Sequence, residues 1–176
     1  MVYILSGTWR QETSFHPTWK CICINFVSTP ALTHLLIFLL LILMIRFFLF
    51  SIMGTPTWHT DAESERSGTS WDQWLYEDLP KFDFKNKKIA IFGVGDAVNY
   101  PENFCDAMGE LYDCFVNAGA KMYGAQATDV IEFSASKSIR DGKFVGAVFD
   151  EDNEPEKSQQ RAATWLTALK SEGFPL

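Results

Sequence analysis

Two short stretches concentrate the residues able to hold a flat ligand. Thr55-Pro56-Thr57-Trp58-His59-Thr60 and Gly93-Val94-Gly95-Asp96-Ala97-Val98-Asn99-Tyr100 each set one large aromatic ring among small, hydrogen-bonding neighbours. Two rings on adjacent loops can grip a heterocycle from both faces, while glycine backbone groups read its edge. Taken singly, either ring is an ordinary loop anchor packed on a core. Asp96 alone is a turn or helix-cap carboxylate, and His59 alone is a loop imidazole. The pairing of the loops carries the ligand reading. The cysteines carry none. Cys21 and Cys23 lack a second ligand pair, so half of a zinc site is missing. Cys105 and Cys114, nine apart, fall on opposite faces of a helix. Four reduced thiols and a reducing compartment follow.

The elements that must position these loops read as α/β. Lys88-Ile89-Ala90-Ile91-Phe92 is a short apolar run with a glycine stop, which predicts a strand buried on both faces. Phe47–Met53 predicts another, leading directly into the first loop. Met122-Tyr123-Gly124-Ala125 and Phe144–Phe149 are two more strand candidates. Between them Gln126–Lys143 is long for a connector and predicts a structured insertion. Three helices are expected. Ser67-Gly68-Thr69-Ser70 caps one with Trp71, Trp74, Leu75 and Leu79 in a stripe. Pro101 opens a second, with Phe104, Met108, Leu111 and Phe115 on one face and Gly119 beyond its end. Pro155 opens the third, with Ala162, Trp165, Leu166 and Leu169 inward. Alternating strands and helices predict a parallel sheet with right-handed crossovers. In such a sheet ligands bind outside the carboxyl ends of the strands, where both loops lie.

Charge divides the chain. Residues 1–53 carry three basic groups and one acid, a net of +2, whereas 54–176 carry 12 basic and 21 acidic residues, a net of −9. The acidic part repels phosphates, which excludes nucleic acid as a partner, and attracts basic protein surfaces. Two acidic groupings stand out: Glu63, Glu65, Asp72, Glu77 and Asp78, then Asp150, Glu151, Asp152, Glu154 and Glu156. The N-terminal third is of another kind. Leu35–Ile45 is an unbroken apolar run of eleven, and with Arg46 and Phe47–Met53 it reaches nineteen residues. Three readings fit Leu35–Met53: a membrane anchor, a buried element, or an intron translated as exon. Arg46 near its centre costs an anchor ~3 kcal/mol. The same Phe47–Met53 is needed as a strand, so an integral anchor is not favoured. Residues 1–46 are therefore expected to be an atypical segment and 47–176 the folded domain.

Gly54–Tyr76, IAIFGVGDAVNYPENFCDAMGELYDCF and ATDVIEFSASKSIRDGKFVGAVFDEDN together resemble the flavodoxins, long-chain branch, continuously from Gly54 to Leu176. The resemblance implies a flavodoxin-like doubly wound parallel sheet of order 2-1-3-4-5. It further implies a low-potential one-electron carrier with non-covalently bound flavin mononucleotide (FMN), and no catalytic residue or metal of the protein's own. By position, Trp58 would stack on the inner face of the flavin and Tyr100 on the outer face. Thr57, His59 and Thr60 would contact its edge, and Gly95, Asp96 and Asn103 would contact or border the pyrimidine ring. Ferredoxin–NADP reductase and photosystem I are the implied partners, and plastid stroma or cytoplasm the implied location. Two departures stand against the family pattern. Asp61 stands where many members have glycine, and no Thr-x-Thr-Gly-x-Thr phosphate loop precedes Gly54. Strands one and two are accordingly expected to be absent, leaving strand three as a bare edge. The rival reading is a truncated, flavin-free fragment, without function or serving only as a membrane-tethered docking protein.

Overall fold

A computed structural model describes residues 2–5, 21–24 and 50–176. The expected domain boundary at 46/47 and most of Leu35–Met53 lie outside the described residues. Among the described residues no helix is long and apolar enough to cross a membrane.

The sheet is built around two parallel strands. β1 (Val2–Leu5) and β2 (Cys21–Ile24) come first in the chain, followed by β3 (Phe50–Pro56) and β4 (Lys88–Val94). β3 and β4 pair in parallel from Phe50↔Lys88 to Pro56↔Val94. Phe50–Met53 is thus extended as expected, but the strand continues through Gly54, Thr55 and Pro56, assigned to the loop from sequence. β4 likewise takes in Gly93 and Val94. Gly54 makes the continuation workable, since a Cβ there would lie 2.1 Å from the Phe92 ring.

Side chains alternate across β4. Ile89 and Ile91 enter a cluster with Trp71, Leu75, Met108, Leu111 and Phe115, whereas Ala90 packs with Ile52, Trp165 and Leu169 on the other face. The first face is covered by α1 (Ser70–Gln73) and α2 (Asp106–Asn117), the second by α3 (Pro155–Ser171). Met108, Leu111 and Phe115 are completely buried, each worth ~1.5–3 kcal/mol of apolar transfer.

Four expectations are corrected. The stripe Trp71, Trp74, Leu75, Leu79 does not form one regular helix: α1 widens into a π-turn at Trp74–Asp78 and tightens into a 3₁₀ turn at Leu79–Lys81. Pro80 has no N–H and its ring would strike the carbonyl four residues back, so the regular helix cannot run through it. Nor does Pro101 open a helix. Cys105 has a left-handed φ of 56°, and α2 starts only at Asp106. The carbonyl of Pro101 instead accepts from Ser134 N and Ala135 N of the insertion. Cys105 therefore precedes the helix, buried, while Cys114 is half-buried on it.

Phe144–Phe149 is not one strand either. β5 (Lys121–Tyr123) pairs with the first half of β4 and β9 (Ala147–Phe149) with the second half, both parallel. They are two pieces of one strand position, separated by the insertion. That insertion folds as expected into structure: β6 (Gln126–Ala127), β7 (Ile139–Arg140) and β8 (Lys143–Phe144) form a small antiparallel sheet of order β6-β8-β7. Gly146 marks the break, because a Cβ there would lie 2.1 Å from the Ile91 carbonyl oxygen.

The other edge departs from expectation too. β1 pairs antiparallel with β3, and β2 antiparallel with β1, giving the order β2-β1-β3-β4-β5 with β9 beside β4. β3 is therefore not a bare edge. Of the two outer strands, β1 runs opposite to the core pair and β2, reversed again, runs along with it.

Candidate functional site

Parallel pairing carries both ring-bearing loops to the same end of the sheet. Thr57 N donates to Val94 O at 3.1 Å where the strands stop, and Thr57 Oγ1 accepts from Ala107 N in the first turn of α2. Thr57 is thus the knot between β3, β4 and α2. Beyond it the Trp58 ring is 71% exposed, and Tyr100 on the neighbouring loop is 52% exposed. Two such rings exposed on neighbouring loops leave apolar area that a flat ligand could cover.

The first loop returns on itself. His59 N donates to Arg66 O at 3.1 Å, and His59 Nδ1 donates to Glu65 O at 2.8 Å. Because a carbonyl can only accept, Nδ1 carries a proton in this bond. Thr60 is half-buried at the turn that ends in Asp61. Asp61 holds a φ of 64°, the conformation glycine adopts without cost, which explains why glycine suits this position. Its carboxylate accepts from Asn103 Nδ2 at 2.9 Å, so a side chain of each loop binds the other.

The second loop is organised by carboxylates. Asp96 Oδ1 accepts from Val98 N, Asn99 N and Asn153 Nδ2 at 3.1, 2.8 and 2.9 Å, and Oδ2 from Asn99 Nδ2 at 2.6 Å. The Asn99 amide bonds, foremost among these donors, hold its pKa below the ordinary carboxylate value. Asp96 is the turn-capping carboxylate that its residue type alone suggested. Tyr100 N then donates to Asp96 O, and Asn103 N to Tyr100 O. Gly95 N donates to Phe149 O at 3.1 Å, and a Cβ at Gly95 would approach Cys105 N to 2.9 Å. The glycine is required by packing whatever else it contacts.

All eight candidate residues thus lie on or beside this pair of loops. Sequence reasoning missed three buried carboxylates around them. Asp150, placed among the acidic surface groups, is 1% exposed and accepts from Ala97 N, Asp152 N and Asn153 N. An aspartate directly after a buried strand and three before an asparagine was the available signal. Asp72, likewise counted as surface, is buried and accepts from Ser67 N and Ser67 Oγ. Glu110, in the middle of α2, is 6% exposed and accepts from Glu65 N and Arg66 N. Nothing in its neighbourhood along the chain announces that role. Glu154 is also partly spent inside the fold, paired with Lys157 and Arg161, which hold its pKa low. The acidic face is smaller than the charge count suggests.

The insertion supports the site from behind. Ser136 Oγ donates to Phe104 O, Lys137 N to Asp106 Oδ1 and Ser138 Oγ to Cys105 O, fixing the start of α2. An open concavity of 610 Å³ on the insertion, lined by Ile131, Phe133 and Ile139 among others, lies apart from both rings. Among the described residues no cluster of His, Cys, Asp and Glu could hold a metal ion. The Cys105 thiol is raised by burial, and Cys114 is pushed up to about 11 by burial and then by Glu110 and Asp113. Neither is a reactive nucleophile.

Comparison with known proteins bears on the same region. A family model described as Flavodoxin matches residues 50–165. The flavodoxin of Synechocystis sp. is 41% identical over 120 residues, covering 68% of this chain and 67% of that protein. The flavodoxin of Picosynechococcus sp. is 44% identical over 120 residues with the same shares. Flavodoxin 1 of Azotobacter vinelandii is 40% identical over 124 residues, 70% of each chain. A crystal structure of a Fusobacterium nucleatum flavodoxin mutant bound to flavin mononucleotide superposes with a TM-score of 0.65 at 32% identity, covering 73% of this chain and 72% of the other.

Proposed function

The chain belongs to the flavodoxin family, and on that premise we propose that it is a low-potential one-electron carrier holding FMN non-covalently between Trp58 and Tyr100. The observation that carries this reading is the pair of exposed rings on loops bonded to each other through Asn103 and Asp61. FMN, when bound, supplies reversible one-electron chemistry, and the protein supplies binding, orientation and charge. Covering the two rings recovers apolar area at ~25 cal/mol per Å² and adds stacking of about 1 kcal/mol per ring.

In this reading Trp58 covers the inner face and Tyr100 the outer face. His59 N and Nδ1 are already engaged, so its carbonyl and the following Thr60 peptide are what the first loop offers a ring edge. Gly95 and Asp96 present backbone groups from the second loop, with Asn103 and Thr57 bracing both loops. Asp61, Asp96 and Asp150 bring negative charge close to the ring. Adding an electron beside fixed negative charge is disfavoured, which lowers the potential. The exposed acids that remain, such as Glu63, Glu151 and Asp152, suit brief contact with basic redox proteins of the ferredoxin–NADP reductase or photosystem I kind.

Titration of the purified chain with FMN and with riboflavin, followed by visible absorbance, tests the reading. Ring binding by the two loops alone predicts similar affinity for both flavins. A preference for FMN of a hundredfold, ~2.7 kcal/mol, would mean that residues ahead of β3 also grip the phosphate. Binding of neither flavin would overturn the proposal.

A further inference from the structure

The first loop is bonded to a carboxylate that lies far from it in the chain. Glu110 is 6% exposed in the middle of that helix. Its two oxygens accept from consecutive backbone amides, Glu65 N to Oε1 at 2.7 Å and Arg66 N to Oε2 at 2.9 Å. The Tyr76 hydroxyl donates to Oε1 as well. Burial, first, and the Glu110 hydrogen bond, second, raise the Tyr76 pKa well above that of a free phenol, so it stays a donor. The carbonyls of the same two residues face the ligand loop. Glu65 O takes His59 Nδ1 and Arg66 O takes His59 N. Glu65 holds this corner at a φ of 57°, a left-handed conformation that a non-glycine residue keeps only when its surroundings enforce it. The corner is therefore clamped on one side by Glu110 and carries His59, with Trp58 next to it, on the other.

We infer that Glu110, with Tyr76, is a positioning residue for flavin binding: it locks the Glu65–Arg66 corner and through it the Trp58–His59 segment. Its geometry stands independently, whereas its consequence for the flavin rests on the reading proposed above. A carboxylate suits the task because both oxygens accept. Glu110→Gln is nearly isosteric, yet it turns an NH₂ group toward one of the two amides, donor against donor.

Amide hydrogen exchange on the flavin-free chain reads the clamp directly. Glu110→Gln should speed exchange at His59, two hydrogen bonds away, by about tenfold. Gly95 N, bonded to Phe149 O in the other loop, should stay unchanged. Tyr76→Phe should act in the same direction and less. Leu111→Ala, which removes a fully buried side chain from the same helix, controls for general loss of stability and should not single out His59. Unchanged exchange at His59 in Glu110→Gln would overturn the clamp. The flavin arm is separate: FMN should bind Glu110→Gln several-fold more weakly, with altered one-electron potentials, while Leu111→Ala keeps both. Loosened exchange with unaltered FMN affinity and potentials would overturn the positioning role. Failure of the unsubstituted chain to bind FMN would fall on the proposed function and leave the exchange result standing.

Discussion

The two ring-bearing loops leave adjacent strands at the same level, yet they are held in different ways. The second loop is nearly self-sufficient: Asp96 caps Val98 and Asn99 within three residues, and Asp150 with Asn153 fastens it from the next strand end. The first loop borrows its order. Its return limb hangs on Glu110, more than forty residues away on α2, and on Thr57 bonded to that helix's first turn. One loop is a local turn that happens to carry a tyrosine. The other is a long excursion whose tryptophan is placed by tertiary contacts. Deforming the first should therefore be easier, and its conformation more responsive to a ligand, because its return limb is fastened by bonds to a distant helix.

The largest expected effect lies in neither loop and sets the baseline. Trp165 packs beneath β4 and β9 and donates to Gly124 O at 2.7 Å. Trp165→Ala should cost about 3–5 kcal/mol in urea unfolding and leave flavin affinity alone. An equal loss of flavin binding would deny the separation of scaffold from loops. Next comes Asp150→Ala, which strips the buried acceptor from Ala97 N and from the turn at 152–153. About 3 kcal/mol should be lost, with exchange speeding up in the second loop and not in the first. A change below about 1 kcal/mol would show that the second loop is not built on this residue.

Trp58→Ala and Tyr100→Ala reverse the pattern. Both rings are exposed, so stability should move by less than about 0.5 kcal/mol. Each change should still weaken flavin by about 1 kcal/mol or more, roughly fivefold, in the absorbance titration. Lost stability without lost affinity would make the rings core anchors. The smallest effect is acid sensitivity of the second loop. The Asp96 pKa is lowered in the folded state from its ordinary 3.8. Its contribution is then complete above that value and disappears as pH falls through the lower folded value. The Val98 and Asn99 amide resonances should shift only below about pH 4, and Asp96→Asn should abolish that shift. A midpoint near neutral pH would contradict the assignment.

Much of this was legible in the chain. Gly54–Leu176 reads continuously as alternating strands and helices, and the inward positions Met108, Leu111, Phe115, Trp165 and Leu169 are all buried. Both loops could be located, because aromatic residues among glycines and threonines at strand ends are a local pattern, whereas the roles of the eight candidate residues came from the family resemblance and belong to the proposal. What went astray was where long-range bonds override local preference. Pro101 looked like a helix start, but its carbonyl is taken by the insertion. Asp72 and Asp150 looked like surface charge, but each satisfies backbone amides inside the fold.

Residue order alone determined the burial of β4 on both faces, the turn chemistry at Asp96 and the family to which the chain belongs. Those depend on neighbours within a few residues or on matching text. Only the tertiary structure decided that β5 and β9 share one strand position, that Asn103 meets Asp61, and that Glu110 holds the corner beneath His59. The physical reason is common to all three. A hydrogen bond between residues tens of positions apart leaves no periodicity in the sequence, and which buried carboxylate meets which backbone amide is set by how helix and sheet pack.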